Sequence, residues 1–178
     1  MAKIRDLIAI ERKGKLGKVH GFLLARSKKW LLVESEKEFR TDGYRIIPRK
    51  DVKSIRRNAA DRLHQVICKM LGTAPGTVPK VPYDDPEKLF HVLRSRGDLV
   101  IIECERFGEW PYTIGKIEGI AEAHVQIAYF NVEGKFDKVP RVIAHRHISQ
   151  IGFSERYIKG YLTYFKSKKE KRLRKWKP

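Results

Sequence analysis

Three histidines are the first candidates for chemistry, because their spacing is typical of metal ligands on strands. His145 and His147 alternate along a predicted strand and so share one of its faces, and His124 begins another predicted strand. The first half of the chain carries Arg49 and Asp51 at the equivalent places, and no cysteine lies nearby in the sequence. We therefore predict solvated histidines at a strand end, with no metal site and no cofactor.

Acidic residues beside a cysteine are the second candidate. Cys104 precedes Glu105 and could act as a nucleophile if a distant histidine served as its base, but it ends an apolar strand, where a buried thiol is usual. Glu103, Glu105 and Glu109 could form a carboxylate pair, but Glu103 repeats Glu11 at a strand end, which favours a structural role. No phosphate-binding glycine loop, nucleophile elbow or metalloprotease helix is present. We predict that the protein is not an enzyme.

Positive charge is the strongest remaining signal. The 178 residues carry 39 Lys and Arg against 21 Asp and Glu, a net charge of +18 at pH 7. Such a balance attracts nucleic acids, other polyanions and acidic proteins alike. The charges cluster at predicted loops of the first half and in the C-terminal tail, and the alternative is a well-solvated surface without a ligand. The residues predicted to bind nucleic acid are Arg12, Lys13, Lys15, Lys18, Arg26, Lys28, Lys29, Arg49, Lys50, Arg56, Arg57, Lys168, Lys169, Lys171, Arg172, Arg174 and Lys175.

Aromatic residues suggest two further roles. Trp30 and Tyr44 could stack on nucleic-acid bases, although burial in a core is the commoner fate of aromatics on strands. Phe107, Trp110 and Tyr112 belong to a longer predicted loop in the second half, where they could anchor a protein partner. We keep a protein-interaction module as the alternative to nucleic-acid binding.

An internal repeat must position all of these residues. The stretch 46–55 reappears at 142–151, and 6–11 reappears at 98–103. A third match aligns 17–21 with 115–119, which would place Gly21 on Gly119. The blocks keep their order, and their offsets change only where loops can lengthen. The sequence therefore predicts two structurally equivalent halves.

Apolar alternation and turn residues predict five strands in each half. Each half ends in a helix, for which Asn58 and Ser154 are the predicted N-caps. In the first of these helices Leu63, Ile67 and Met70 share a face that we expect to pack on the sheet. A further helix, capped by Asp84 or Asp85, leads into the second half. The predicted strands cover 6–11, 17–25, 30–35, 43–48 and 52–56, then 98–104, 113–120, 124–130, 139–145 and 148–152.

The predicted fold is mainly β with α, as two tandem five-stranded barrels that are each followed by a helix. The strand count, the strand spacing and the Gly-Lys-(Val/Ile)-x-Gly bends at 17–21 and 115–119 resemble Sm-like and SH3-like small barrels. That resemblance implies RNA binding through an Asp-x-x-x-Asn loop and an Arg-Gly pair, yet 25–30 and 47–50 carry neither. The resemblance therefore concerns the fold more than the function.

The domain organisation follows from the repeat and from one Pro-rich and Gly-rich stretch. Two cysteines make no disulfide framework, and neither a signal peptide nor a membrane-spanning stretch is visible, so we expect a cytoplasmic protein. We predict nucleic-acid binding without strong sequence specificity, chiefly through the first barrel and the tail. The predicted units are a first barrel with its closing helix at 1–72, a linker at 73–83, a bridging helix with the second barrel and closing helix at 84–166, and a basic tail at 167–178.

Overall fold

The first half forms the strands and helix that its sequence predicts. A computed structural model describes residues 2–14, 16–107 and 110–175, with side chains through residue 169. Asn58 caps the first helix, as the sequence predicts, and it does so in a reciprocal capping box with Asp61. The elements are β1 (Leu7–Arg12), β2 (Val19–Arg26), β3 (Trp30–Lys37), β4 (Arg40–Pro48), a 3₁₀ turn (Arg49–Asp51), β5 (Val52–Arg56) and α1 (Ala59–Met70).

The second half repeats this order after an additional helix. Asp85 caps that helix by accepting the Lys88 N–H, and Pro86 occupies its first turn. None of the described helices is both long enough and apolar enough to cross a membrane. The elements are α2 (Pro86–Ser95), β6 (Leu99–Glu103), β7 (Tyr112–Ala121), β8 (His124–Tyr129), β9 (Arg141–Ala144), a 3₁₀ turn (His145–His147), β10 (Gln150–Phe153) and α3 (Arg156–Lys175).

The prediction of two separate five-stranded barrels is wrong, because the strands form one open antiparallel sheet of ten. The order is β5-β1-β2-β3-β4-β10-β6-β7-β8-β9, so each half contributes its strands in the same sequence. The halves join where β4 pairs with β10, with Ile46 opposite Ile151 and Tyr44 opposite Phe153. This pairing satisfies the backbone groups at the edge of β4, which would otherwise remain unpaired. Apolar alternation predicts where a strand lies in the sequence, but it does not show which other strand it pairs with.

The register also corrects one match of the internal repeat. Ile8 of β1 lies opposite Gly21, and Val100 of β6 lies opposite Gly115. Gly115 therefore occupies the place of Gly21, and the predicted equivalence with Gly119 is wrong. Ile55 and Ile151 are equivalent as predicted, since each pairs with the matching residue of the first strand in its half.

The largest of three apolar clusters among the described residues spans the two halves. It contains Trp30 and Ile46 from the first half and Phe90, Ile102 and Ile151 from the second. Trp30 is only 8% exposed, which confirms its predicted place in the core and removes it as a base-stacking residue. The linker contacts the sheet at β3, because the Gly76 N–H donates to the Glu34 carboxylate at 2.6 Å.

Helix α1 presents the opposite face to the one predicted. Leu63 and Met70 are exposed, Met70 by 80%, while Cys68 is buried against the sheet. The face toward the sheet is otherwise polar and well bonded. His64 bonds to Glu36, and Gln65 accepts the Leu7 N–H at 3.0 Å. These hydrogen bonds determine which face of α1 packs on the sheet, whereas hydrophobic periodicity alone predicts that the apolar face is buried.

The start of α3 depends on the first half. Its N-terminal Arg156 N–H donates to the Asp42 carboxylate at 2.7 Å, while Ser154, the predicted cap, has a left-handed φ of 59°. The basic tail continues α3 as far as Lys175. A residue of β4 thus supplies the bond expected from the local cap.

Glu155 makes the junction between the halves sensitive to pH. Burial raises the pKa of Glu155 to about 7, against the nearby charge of Arg45 and with the help of Asp42 and Glu103. The Arg45 Nε lies 3.6 Å from the Glu155 carboxylate. The folded chain therefore holds this proton more tightly than an unfolded chain, in which the carboxyl titrates near 4.5.

Replacing Glu155 by glutamine should flatten the pH profile of stability. In the wild-type chain this carboxyl favours folding below pH 4.5, and that contribution is lost as pH rises toward 7. As pH rises from 4.5 to 7, we expect the free energy of unfolding of Glu155→Gln to increase relative to that of the wild type by up to about 3 kcal/mol. Urea unfolding across that range measures the difference, with the exposed Glu118→Gln as control. Parallel profiles for wild type and Glu155→Gln would contradict the assignment.

Candidate nucleic-acid interface

Two turns that carry positive charge are bonded together at one side of the first half. In the β2–β3 turn the Ser27 hydroxyl accepts the Trp30 N–H at 3.0 Å. The Arg49 N–H donates to the Lys29 carbonyl at 2.8 Å, and the Arg49 guanidinium donates to the Ser27 carbonyl at 3.3 Å. The 3₁₀ turn is therefore fixed against the β2–β3 turn, and the positions of their charges are set before any ligand binds.

The first of two grooves beside these turns, which we call the Arg49 groove, has a volume of about 460 Å³. Arg26 approaches it from the end of β2, Arg49 from the 3₁₀ turn and Lys53 from β5. Its other lining residues are apolar apart from Ser54, and none of the described residues that line it is acidic. Three exposed cations thus surround one concave surface, an arrangement that suits phosphate groups.

The second, the Lys50 groove, is lined by other residues of the same two turns and has a volume of about 590 Å³. Lys28, Lys29 and Lys50 line it from the first half and Arg146 from the second. The Lys50 ammonium donates to the Arg146 carbonyl at 2.9 Å, so this groove bridges the halves. Acidic side chains on its α2 side make it less uniformly positive than the Arg49 groove; they are Asp84 and Asp85.

The remaining predicted residues of the first half are mostly engaged elsewhere. Arg12 is buried between Glu103 and Glu105. Other predicted cations also bond to carboxylates: Lys18 to Glu11, Arg56 to Asp61 and Arg57 to Asp6. Lys13 is exposed, and Lys15 lies outside the described residues. Among the described residues, no carboxylate forms an ion pair with Arg26, Lys28, Lys29, Arg49, Lys50 or Lys53.

The basic tail adds exposed charge along α3. Lys168 and Lys169 are exposed, and the Lys168 ammonium lies 4.7 Å from the centre of the Tyr164 ring. The other predicted binding residues of the tail have a helical backbone, and their side chains lie outside the described part of the chain. These residues are Lys171, Arg172, Arg174 and Lys175.

The predicted aromatic loop contacts its own half, and Tyr112, which was predicted to lie in it, is the first residue of β7. Phe107 stacks on His147 with ring centres 4.0 Å apart, and the Arg141 guanidinium lies 4.1 Å from the Trp110 ring centre. Phe107 and Tyr112 each remain 45% exposed. The loop therefore keeps accessible aromatic surface while its own chain orients two of its rings.

Two of the chemical candidates from the sequence, Cys104 and His147, line one groove. His145 and His147 belong to a 3₁₀ turn, so they do not share a strand face, and His145 instead lies beside Phe90. Burial raises the pKa of the Cys104 thiol to about 11, and the charges of Glu103 and Glu105 add to this. At neutral pH the thiol is therefore almost entirely protonated.

Arg146 is a functional candidate that sequence reasoning overlooked. It occupies the place of Lys50 in the repeated stretch, since 46–55 matches 142–151. The structure then brings the two equivalent residues together across the junction, where both line the Lys50 groove. The repeat alignment was a signal that could have found it.

The resemblance to Sm-like and SH3-like proteins stays a prediction, because it concerns strand number and spacing rather than a motif. The geometry of the two grooves accordingly carries the functional argument. A comparison of the chain with protein-family models, curated proteins and solved structures finds no match.

Proposed function

We propose that the protein binds nucleic acid without strong sequence specificity, through the Arg49 groove and the adjoining cations of the Lys50 groove. The observation that carries this proposal is the convergence of Arg26, Arg49 and Lys53 on one concave surface without an acidic lining residue among those described. Lys28, Lys29 and Lys50 extend the positive surface past the bonded turns. The distribution suits a phosphate backbone that crosses several cations in succession.

The side chains of this surface suit contacts with phosphates better than contacts with bases. Trp30 is buried in the core and Tyr44 packs against Phe153, with ring centres 5.2 Å apart. Stacking on bases, the usual source of affinity for single strands in aromatic binding sites, therefore lacks its best candidates here. Affinity should come from release of counterions, which responds to salt and little to sequence.

The direct test removes the three charges of the Arg49 groove together. We expect Arg26→Gln, Arg49→Gln and Lys53→Gln combined to weaken binding to a labelled duplex at least about tenfold at low salt. The slope of log affinity against log salt should become shallower by up to about 0.9 for each phosphate that the variant no longer neutralises. Fluorescence anisotropy over a salt series measures both quantities.

A matched variant separates local contacts from net charge. Arg94→Gln, Lys116→Gln and Lys138→Gln combined also remove three exposed positive side chains, but these lie in the second half. We expect this control to retain nearly the wild-type slope. Equal reductions of affinity in both triple variants would contradict a site at the groove. A dissociation constant above about 1 mM for both duplex and single strands at low salt would contradict the proposal itself, since proteins that bind nucleic acid non-specifically typically bind more tightly than that.

A protein-interaction module is the second candidate, and the exposure of Phe107 and Tyr112 beside a groove of about 310 Å³ favours it. Accessible aromatics are common anchors of interfaces. Binding of a protein partner that persists at high salt and is abolished in Phe107→Ala would support this candidate. Partner binding that Phe107→Ala leaves unchanged would count against it.

A further inference from the structure

We propose that His20, Glu36 and His64 form a binding site for a divalent transition-metal ion of the zinc class. The residues come from three elements: His20 from β2, Glu36 from β3 and His64 from α1. One ligand atom from each lies within 4.8 Å of the others. The site uses none of the groove residues and so goes beyond the proposed function.

The Glu36 carboxylate lies between the two imidazole rings. One of its oxygens is 2.9 Å from His20 Nδ1, and the other is 2.9 Å from His64 Nε2. Each ring thus points a nitrogen at the same small space, which a single ion could enter with modest side-chain movement. Two imidazole nitrogens with a carboxylate oxygen are a common donor set for zinc and its neighbours, whereas magnesium and calcium prefer oxygen alone.

Neighbouring groups hold these ligands in place. The Asp61 carboxylate lies 3.6 Å from His20 Nε2, the nitrogen that faces away from Glu36. Phe39 stacks on His64 with ring centres 4.3 Å apart, and its N–H donates to the Glu36 carboxylate at 2.6 Å. A carboxylate behind a metal-bound histidine fixes the ring and the position of its proton, and such support is characteristic of metal sites in proteins.

The placement of carboxylates on both sides of His20 allows an ion to replace its contact with Glu36. His20 Nδ1 faces Glu36 at 2.9 Å and His20 Nε2 faces Asp61 at 3.6 Å, so each ring nitrogen has a carboxylate beside it. When a metal takes Nδ1, the ring carries its proton on Nε2, where Asp61 can accept it. Asp61 is itself fixed by the capping box with Asn58 at the start of α1. This arrangement favours metal coordination without leaving a charged ring behind.

Burial leaves access for the ion and for a further ligand. The Glu36 side chain is 1% exposed, while the His20 and His64 side chains are 35% and 29% exposed. The Glu36 carboxylate is therefore buried, and the two imidazole rings lie between it and the solvent. Three protein ligands with an open outer side leave room for a water molecule to complete a tetrahedral zinc site.

The test uses the full chain without a histidine tag, after removal of metal with a chelator. Titration with Zn²⁺ against a chromophoric chelator should show one high-affinity ion per chain. We expect His20→Gln, His64→Gln and Glu36→Gln each to weaken Zn²⁺ binding at least about tenfold. His91→Gln, which alters an exposed histidine of α2, should bind like the wild type. Circular dichroism without metal checks that each variant is folded.

A second measurement needs no variant. In the wild-type chain labelled with ¹⁵N at histidine, Zn²⁺ should shift the ring nitrogens of two of the six histidines, assigned as His20 and His64. Wild-type affinity weaker than about 1 mM, shifts confined to other histidines, or equal Zn²⁺ affinity in His64→Gln and His91→Gln would each overturn the proposal.

Discussion

Replacing Arg12 by methionine is expected to lower the free energy of unfolding by about 3–5 kcal/mol, the range measured when one partner of a buried ion pair is removed. The Arg12 guanidinium approaches both oxygens of Glu105, at 2.9 and 3.1 Å, and lies 3.7 Å from Glu103. It also donates to the Gly17 carbonyl at 2.8 Å. The Arg12 side chain is only 4% exposed, so water cannot replace these contacts.

The ion pairs of Arg12 connect the two halves. Arg12 is the last residue of β1, Glu103 is the last residue of β6, and Glu105 follows β6. Burial already raises the pKa of Glu103, and the Arg12 charge opposes that shift. Arg12→Met would remove one of the two positive charges that lower the pKa of Glu103, the other being Arg45. Part of the stability should therefore return when Glu103→Gln and Glu105→Gln are added to Arg12→Met.

Urea unfolding measures the effect, and Arg156→Met is the matched control. Arg156 also contacts a carboxylate of the other half, with its Nε 3.5 Å from Asp42, but its side chain is largely exposed. An exposed pair of this kind contributes about 0–1 kcal/mol. A destabilisation by Arg12→Met no greater than that by Arg156→Met would contradict a structural role for Arg12.

Alanine at Gly21 is expected to destabilise the sheet by about 1–3 kcal/mol or more, because overpacking forces the backbone to shift. A methyl group there would collide with the carbonyl oxygen of Glu34 on β3. The equivalent Gly115 faces the carbonyl oxygen of Ala128 on β8 in the same way. We expect Gly115→Ala to be destabilised to a similar extent, since the repeat places both glycines at the same close approach.

Gly160 is the control for these two substitutions. It lies in α3, and apart from its own stretch of helix no atom stands within 4 Å of the place where a methyl group would be added. Gly160→Ala should therefore stabilise the chain by up to about 1 kcal/mol through helix propensity. The three variants are compared by urea unfolding. Tolerance of alanine at Gly21 with destabilisation at Gly119 would instead support the repeat alignment that the register has corrected.

Local features of the fold could be predicted from the sequence, because local chemistry determines them. The caps at Asn58 and Asp85 follow from side chains that bond to the next turn, and apolar alternation located the strands within a few residues. The junction of β4 with β10 could not be predicted, because edge pairing depends on residues distant in the chain. The exposed side of α1 was also missed, since bonds made by His64 and Gln65 outweigh its apolar stripe.

The candidate sites show the same division. Composition located the basic clusters, but it could not separate Arg26 and Arg49, which line a groove, from Arg12, which is buried against carboxylates. The proposed metal site left no signal in the sequence, because its ligands are scattered over three elements without a motif spacing. Only the packing of α1 on the sheet brings His64 to Glu36.

The junction between β4 and β10 has a consequence for the order of synthesis. The edge of β4 is complete once its residues leave the ribosome, but β10 follows roughly 5 to 20 seconds later at ordinary rates of translation. During that time Tyr44, Arg45 and Ile46 lack the strand that later covers them. An unpaired edge of this kind can recruit strands from other chains. The positive charge of Arg45 on this edge would repel a second copy of the same strand, which protects the nascent chain until its own last strand arrives.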